Sequence, residues 1–146
     1  MKILMAVFTL TFLASQNVTA NDFKKYSISC ASQKMLERGR MYGYSDEYIM
    51  REWTKSSPYL FDGEHVYFKG WVSGWNKLKM IKQNNKIYWN KYSDALEANA
   101  SYVFNPSTMK LTTLYDGKEY SSGPMTCIKN TWNKGIELAE NVEVRN

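Results

Sequence analysis

Histidine is almost missing from this chain: His65 is the only one among 146 residues. A Ser/His/Asp or Cys/His centre needs a histidine beside a nucleophile, and no nucleophile elbow surrounds any serine here. His65 follows the Asp62-Gly63 turn signal by two residues, so it reads as a strand residue with a partly exposed ring. Cysteine is nearly as scarce, with Cys30 and Cys127 the only two. One histidine and two mutually paired cysteines cannot build a zinc centre, and no Asp-rich stretch resembles a calcium-binding loop. A glycine-rich phosphate loop and a dinucleotide fingerprint are also lacking, so no metal and no cofactor is expected. Beyond the first twenty residues no segment is apolar enough to cross a membrane. No internal repeat appears, and no stretch rich in Pro, Gly or Ser divides the chain in two.

What is present begins with a leader. Residues 1–20, MKILMAVFTLTFLASQNVTA, hold Lys2, an apolar run from Ile3 to Ala14, and Val18 and Ala20 before the expected cleavage point. This is the pattern of a signal peptide, and its apolar run falls short of the roughly 20 residues that span a bilayer. The chain is therefore expected to be exported, to the periplasm or the medium, starting at Asn21. Losing Lys2 with the leader lowers the formal net charge from +5 to +4. That balance favours solubility and falls short of what phosphate neutralisation on nucleic acid demands.

In an oxidising compartment Cys30 and Cys127 are expected to pair. Closing a loop of roughly 100 residues is worth about 4 to 5 kcal/mol on the chain-entropy model. The bridge would bring the two Cα atoms within about 7 Å, so the first and last ordered segments would lie side by side. A sheet clasped by its own ends follows.

The remaining pattern predicts an α+β fold, mainly antiparallel β: a meander sheet or small β-barrel with one or two short N-terminal helices. Phe23–Cys30 reads as a first strand. Ser32–Arg38 reads as a short helix stopped by Gly39, and Ser45 caps a second helix over Asp46–Lys55, with Ile49 and Trp53 on one face. Asp62-Gly63 signals a type I′ hairpin. Further turns are expected at Ser73-Gly74, Asn84-Asn85, Asn105–Thr108 and Asp116-Gly117. Between them lie strands at Glu64–Val72, Trp75–Lys82, Lys86–Tyr92, Glu97–Phe104, Met109–Tyr115 and Pro124–Ile128. The predicted organisation is a leader at 1–20, one globular domain at 21–128, and a polar tail at 129–146 that is partly ordered at most.

The segment Lys69–Tyr92, KGWVSGWNKLKMIKQNNKIYWNKY, concentrates lysine, tryptophan and tyrosine and holds no acid. A two-residue turn at Asn84-Asn85 would pair Gln83 with Lys86, Lys82 with Ile87 and Ile81 with Tyr88. Continued, it would pair Met80 with Trp89, Lys79 with Asn90, Leu78 with Lys91 and Lys77 with Tyr92. One face then collects Leu78, Met80, Ile87 and Trp89 as core. The other collects Lys77, Lys79, Ile81, Tyr88, Asn90 and Tyr92, a face that is either solvated sheet or a contact surface. Lys77, Lys79, Tyr88 and Tyr92, with nearby Trp71 and Trp75, are the candidate contact residues.

These features favour a small non-enzymatic binding or modulating protein whose partner is a protein. Carbohydrate or peptidoglycan recognition, or a small carbohydrate-active enzyme, is the alternative, and a structural envelope component is a third. Nucleic acid is disfavoured. The enzyme reading requires paired carboxylates, for which Asp62 with Glu64, Asp94 with Glu97, and Asp116 with Glu119 are the candidates. Each pair sits at a turn, where Asp serves local backbone hydrogen bonds. Asn99-Ala100-Ser101 is a glycosylation sequon that matters only in a eukaryotic source. The layout of leader, antiparallel sheet and single disulfide resembles that of small exported lysozyme inhibitors. Their Ser-Gly-x-x-Tyr loop has no counterpart: Ser73-Gly74-Trp75-Asn76-Lys77 and Ser122-Gly123-Pro124-Met125-Thr126 both lack the tyrosine. No functional residue is carried over.

Overall fold

The computed structural model describes residues 25–53, 56–70, 73–93, 96–119 and 123–141. The expected leader lies outside them, as do Trp71 and Asp94. Strand β1 (Tyr26–Ala31) leads into helix α1 (Gln33–Met41), then a single helical turn α2 (Asp46–Tyr48) that passes into a π-helical turn at Ile49–Trp53. The strands that follow are β2 (Tyr59–Phe61), β3 (His65–Gly70), β4 (Gly74–Lys79), β5 (Ile81–Gln83), β6 (Lys86–Ser93), β7 (Ala98–Asn105), β8 (Lys110–Tyr115), β9 (Lys118–Glu119) and β10 (Met125–Thr131). Helix α3 (Trp132–Glu140) comes last.

The ladders are antiparallel and run in the order β4-β3-β2-β1-β10-β8-β7-β6-β5, with β9 attached to β8. Strands β4 and β5 therefore stand at opposite ends of the sheet, yet only Met80 separates them along the chain. A flat sheet cannot hold neighbouring residues at its two outer edges, so this one wraps into a nearly closed barrel.

Residues alternating inward fill the barrel. Ile28, Cys30, Phe61, Val66, Met80, Ile87, Trp89, Phe104, Leu111 and Cys127 form one buried cluster, with Leu78 packed against it. Aromatic rings run through its middle. Tyr26 stacks on Phe61 at 5.1 Å, Phe61 meets Trp89 edge-on at 5.6 Å, and Trp89 lies parallel to Tyr102 at 5.3 Å. Each such pair adds about 0.5 to 1.5 kcal/mol beyond its buried area. Burial pushes the Tyr102 phenol up to about 12, with Tyr115 adding to the shift, and raises Tyr59 further still.

The clasp lies where the first and last strands of the described chain meet, in the middle of the strand order. Cys30 and Cys127 are directly opposed on β1 and β10 and form a disulfide, with Cα atoms 4.0 Å apart. The Cys127 N–H donates to Met109 O on the other side of β10. The cysteine pair thus occupies a non-hydrogen-bonded position, where facing side chains come closest.

The outer face of β1 and β10 is covered by helices. Leu36, Ile49 and Met50 pack on Ala31, with Trp53 and Ile128 alongside. Buried Asn130 donates to Ser29 Oγ at 2.9 Å and accepts from Arg51 Nε, tying the π-helical turn to both strands. Helix α3 begins at Thr131, whose hydroxyl accepts from Lys134 N. It crosses β1 at Gly135, where a Cβ would come within 2.5 Å of Ser27 Cβ.

Several expectations need correction. Helix α1 runs past Gly39 to Met41. Gly39 is a contact point, since a Cβ there would lie 2.5 Å from Ile49 Cγ1, and Gly43, at φ +82°, is where the chain turns. The second helix is α-helical for one turn only before widening. The β2–β3 hairpin exists one residue later than expected: Phe61 pairs with Val66, and Asp62 N donates to His65 O, so Gly63 and Glu64 are the central residues. Asn84 and Asn85 both have positive φ, as a type I′ turn requires. The segment expected to be a polar tail supplies the end of β10 and all of α3.

Replacing both cysteines by serine is expected to cost about 2 to 5 kcal/mol of unfolding free energy in urea titration. Gly135→Ala should also destabilise, by about 1 to 3 kcal/mol, because overpacking against Ser27 outweighs the alanine's helix propensity. The same substitution at an exposed helical glycine would raise stability.

Candidate functional site

Strand β4 alternates cleanly, with Trp75, Lys77 and Lys79 exposed and Asn76 and Leu78 turned toward the barrel. Its partner is β3, so Lys77 stands opposite Tyr67, Lys79 opposite His65, and Trp75 opposite Lys69. Residues directly opposed share a face, which brings the β4 set alongside Tyr67. The Lys77 Nζ lies 5.7 Å from the centre of the Tyr67 ring. On the far side of Tyr67 is Trp132 of α3, edge-on at 5.7 Å, with Lys25 Nζ 5.3 Å from the Trp132 ring. Leu60, Tyr67, Trp75, Trp132, Ile136 and Glu140 enclose a groove of about 310 Å³. Trp75 is 45 % exposed on its rim.

Tyr67 is held in place from below. Its hydroxyl donates to Asp62 Oδ2 at 2.7 Å, and Asp62 Oδ1 accepts the backbone N–H groups of Glu64 and His65 at 2.9 and 2.7 Å. Partial burial opposes ionisation of Asp62, but the Tyr67 hydroxyl and those two N–H groups prevail and hold its carboxyl at about 2. The same hydrogen bond, with some burial, pushes Tyr67 up to about 12. His65 Nδ1 is 3.7 Å from Asp62 Oδ2. Asp62 thus serves the turn and the tyrosine. Asp116 likewise accepts from Asn99 N at 3.0 Å, while Asp94 lies outside the described residues. Among the described residues no group of three or more His, Cys, Asp or Glu is placed to hold a metal ion.

The expected contact face divides. Trp75 lines the groove, Lys77 sets its ammonium over the Tyr67 ring that walls it, and Lys79 continues the same edge opposite His65. Tyr88 and Tyr92 project from β6, which pairs with β5 and β7 and not with β4. Tyr88 stands between Ile81 and Val103, and Tyr92 opposite Asn99. The expected pairing holds from Gln83–Lys86 to Ile81–Tyr88 and then stops. Met80–Trp89, Lys79–Asn90, Leu78–Lys91 and Lys77–Tyr92 are not ladder pairs, because from Met80 backward the strand's hydrogen bonds go to β3, beginning with Met80 N to Glu64 O. Trp71 lies outside the described residues.

Two groups were missed by sequence reasoning. Trp132 and Ile136 sat in the supposed tail, although the Thr131 cap and the i, i+4, i+7 spacing of Trp132, Ile136 and Ala139 carry a helix signal. The second group is an exposed aromatic cluster on the helical segment. Tyr44 stacks on Tyr48 at 4.9 Å, Tyr42 and Tyr44 both contact Trp53, and Met41 beside them is 86 % exposed. Arg40 grips Asp46 with two 2.6 Å hydrogen bonds and holds its carboxyl below the ordinary value.

No protein-family model, no curated protein and no solved structure matches this chain.

Tyr67→Phe is expected to release Asp62, raising its titration from about 2 toward the ordinary carboxylate range in a carbon-detected NMR titration. Because the folded value lies below the unfolded one, Asp62 stabilises the fold above about pH 4, and that contribution fades as the pH falls toward 2. Acid unfolding monitored by fluorescence should therefore begin at higher pH in Tyr67→Phe than in the parent.

Proposed function

We propose that this chain is an exported, non-enzymatic binding or modulating protein of the cell envelope or extracellular space, and that it recognises a protein partner through the aromatic and basic groove beside β4. The observation that carries the reading is the half-exposed Trp75 on the rim of a concave surface walled by Tyr67 and Trp132, with Lys77 and Lys25 set against those rings. Tryptophan, tyrosine and cationic side chains around a desolvated hollow are the composition of an interface centre. The leader-like pattern of residues 1–20 and the disulfide are compatible with this compartment. Rings fixed by neighbouring contacts lose little freedom on binding, which favours affinity.

A carbohydrate partner is the second reading. It draws on the same groove, where the exposed face of Trp75 can pack on a sugar ring and Glu140 can accept its hydroxyl groups. Both readings use the groove without a bond-making step.

A pull-down from envelope extract should recover a partner with the parent protein and lose it with a Trp75→Ala/Lys77→Ala variant. A Tyr88→Ala/Tyr92→Ala variant is expected to retain it, since those rings lie on a different strand pair. Equal recovery by all three proteins would remove the groove from consideration. Co-sedimentation with purified peptidoglycan, abolished by Trp75→Ala, would favour the carbohydrate reading instead.

A further inference from the structure

The helical layer outside β1 and β10 carries a hollow of its own, of about 480 Å³, lined by Ser32, Lys34, Met35, Arg38 and Trp53. Among the described residues it shares no lining with the Trp75 groove. Met35 and Trp53 form its apolar walls, packed from beneath on the buried Leu36, Ile49 and Met50 and still partly exposed themselves. Trp53 also meets Tyr42 at 6.1 Å and Tyr44 at 5.8 Å, and Tyr44 stacks on Tyr48, so the hollow adjoins a row of exposed rings.

The platform is fixed by polar contacts around it. The two Arg40–Asp46 hydrogen bonds join the last turn of α1 to the first of α2, and Tyr44 N donates to Gly39 O at 3.1 Å across the turn at Gly43. Rings set in place before binding lose little freedom when a partner arrives. The acids of this layer are already engaged: Asp46 is taken by Arg40, Glu47 by Arg51, Glu52 faces Lys134 at 3.7 Å, and Glu37 accepts from Gln33 at 3.0 Å. Lys34 and Arg38 are different. Both are exposed, and neither enters a hydrogen bond, ion pair or ring contact among the described residues. Four residues apart on α1, they share one edge of the helix, where Met35 lies beside Lys34 and one turn before Arg38.

An apolar hollow bordered by two unmatched cations is complementary to an apolar side chain that arrives with negative charge beside it. We infer that this helical face is a second docking surface and that it takes an acidic peptide segment of a protein partner. One large apolar side chain seats between Met35 and Trp53, and the carboxylates flanking it meet Lys34 and Arg38. An anionic membrane fits less well. Two cations fall short of the roughly four to eight that hold a protein on such a surface, and the arginines next to the tyrosine row, Arg40 and Arg51, are already paired. Because the hollow and the Trp75 groove are separate surfaces, this inference stands without the reading of that groove.

The probe for the test is the peptide acetyl-Glu-Asp-Phe-Asp-Glu-amide, titrated into the purified, oxidised full chain and followed by two-dimensional amide NMR. Saturable shifts are expected at Ser32, Met35 and Arg38 and at the Trp53 indole N–H. The neutral acetyl-Gln-Asn-Phe-Asn-Gln-amide should bind about tenfold more weakly. Lys34→Gln and Arg38→Gln should each weaken the acidic peptide about two- to fivefold, as the loss of one exposed ion pair does, and its affinity should fall as salt is added. Trp75→Ala should leave it unchanged. Equal affinity for the two peptides would overturn the inference. So would the absence of saturable shifts, shifts confined to Tyr67, Trp75 and Trp132, or unchanged affinity in both charge variants. Co-sedimentation of the chain with phosphatidylglycerol vesicles, lost in Arg38→Gln, would assign the face to a membrane and overturn it as well.

Discussion

Cys30 faces Cys127 across the β1–β10 ladder, and much of the molecule is fitted around that pairing. The two strands come from opposite ends of the described chain, so their union is what joins the β2–β3–β4 half of the sheet to the β6–β7–β8 half. Their inward residues, Ile28, Cys30 and Cys127, enter the barrel core. Their outward residues are buried too, because the π-helical turn docks through Arg51, Asn130 and Ser29 and α3 crosses at Ser27. A strand pair buried on both faces must satisfy its polar groups internally. Ser27 does so by donating to Thr131 O at 3.0 Å, and Ser29 by accepting from Asn130.

Closure of the barrel is accomplished by one continuous run, Gly74–Gln83, which pairs with β3 over its first part and with β6 over its last. Met80 is the switch point, buried, with its N–H given to Glu64. This change of partner decides the surface. It takes Trp75 and Lys77 toward Tyr67 and α3, and leaves Ile81 and Tyr88 on a separate stretch of sheet. It also places Lys82 opposite Ile87 at the barrel end that carries the Asn84-Asn85 turn.

Much of this was legible in the chain. Ser45 caps the helical turn it was expected to cap, and Asn84-Asn85 sets the β5–β6 register. Leu78, Met80, Ile87 and Trp89 face the core although two of their three expected cross-strand pairs do not form. That outcome has a simple reason: which side a residue faces depends on the two-residue period of its own strand, whereas which residue it faces depends on the partner strand. Gly39 misled because a glycine that ends a helix and a glycine that admits a neighbour look identical in sequence. Only the position of Ile49 tells them apart.

The sequence by itself determined the local and chemical facts: two cysteines able to bridge, antiparallel strands with a sorted inner face, capped helical turns, and a poverty of histidine that removes several chemistries. The tertiary structure decided which strand closes on which, that α3 covers β1 and β2, and which aromatic rings share a groove. The division is physical. Alternation, capping and turn chemistry act over a few residues and leave marks in the chain. Strand partnership is settled by competition among distant edges with similar hydrogen-bonding capacity, where packing against the shared core selects the winner.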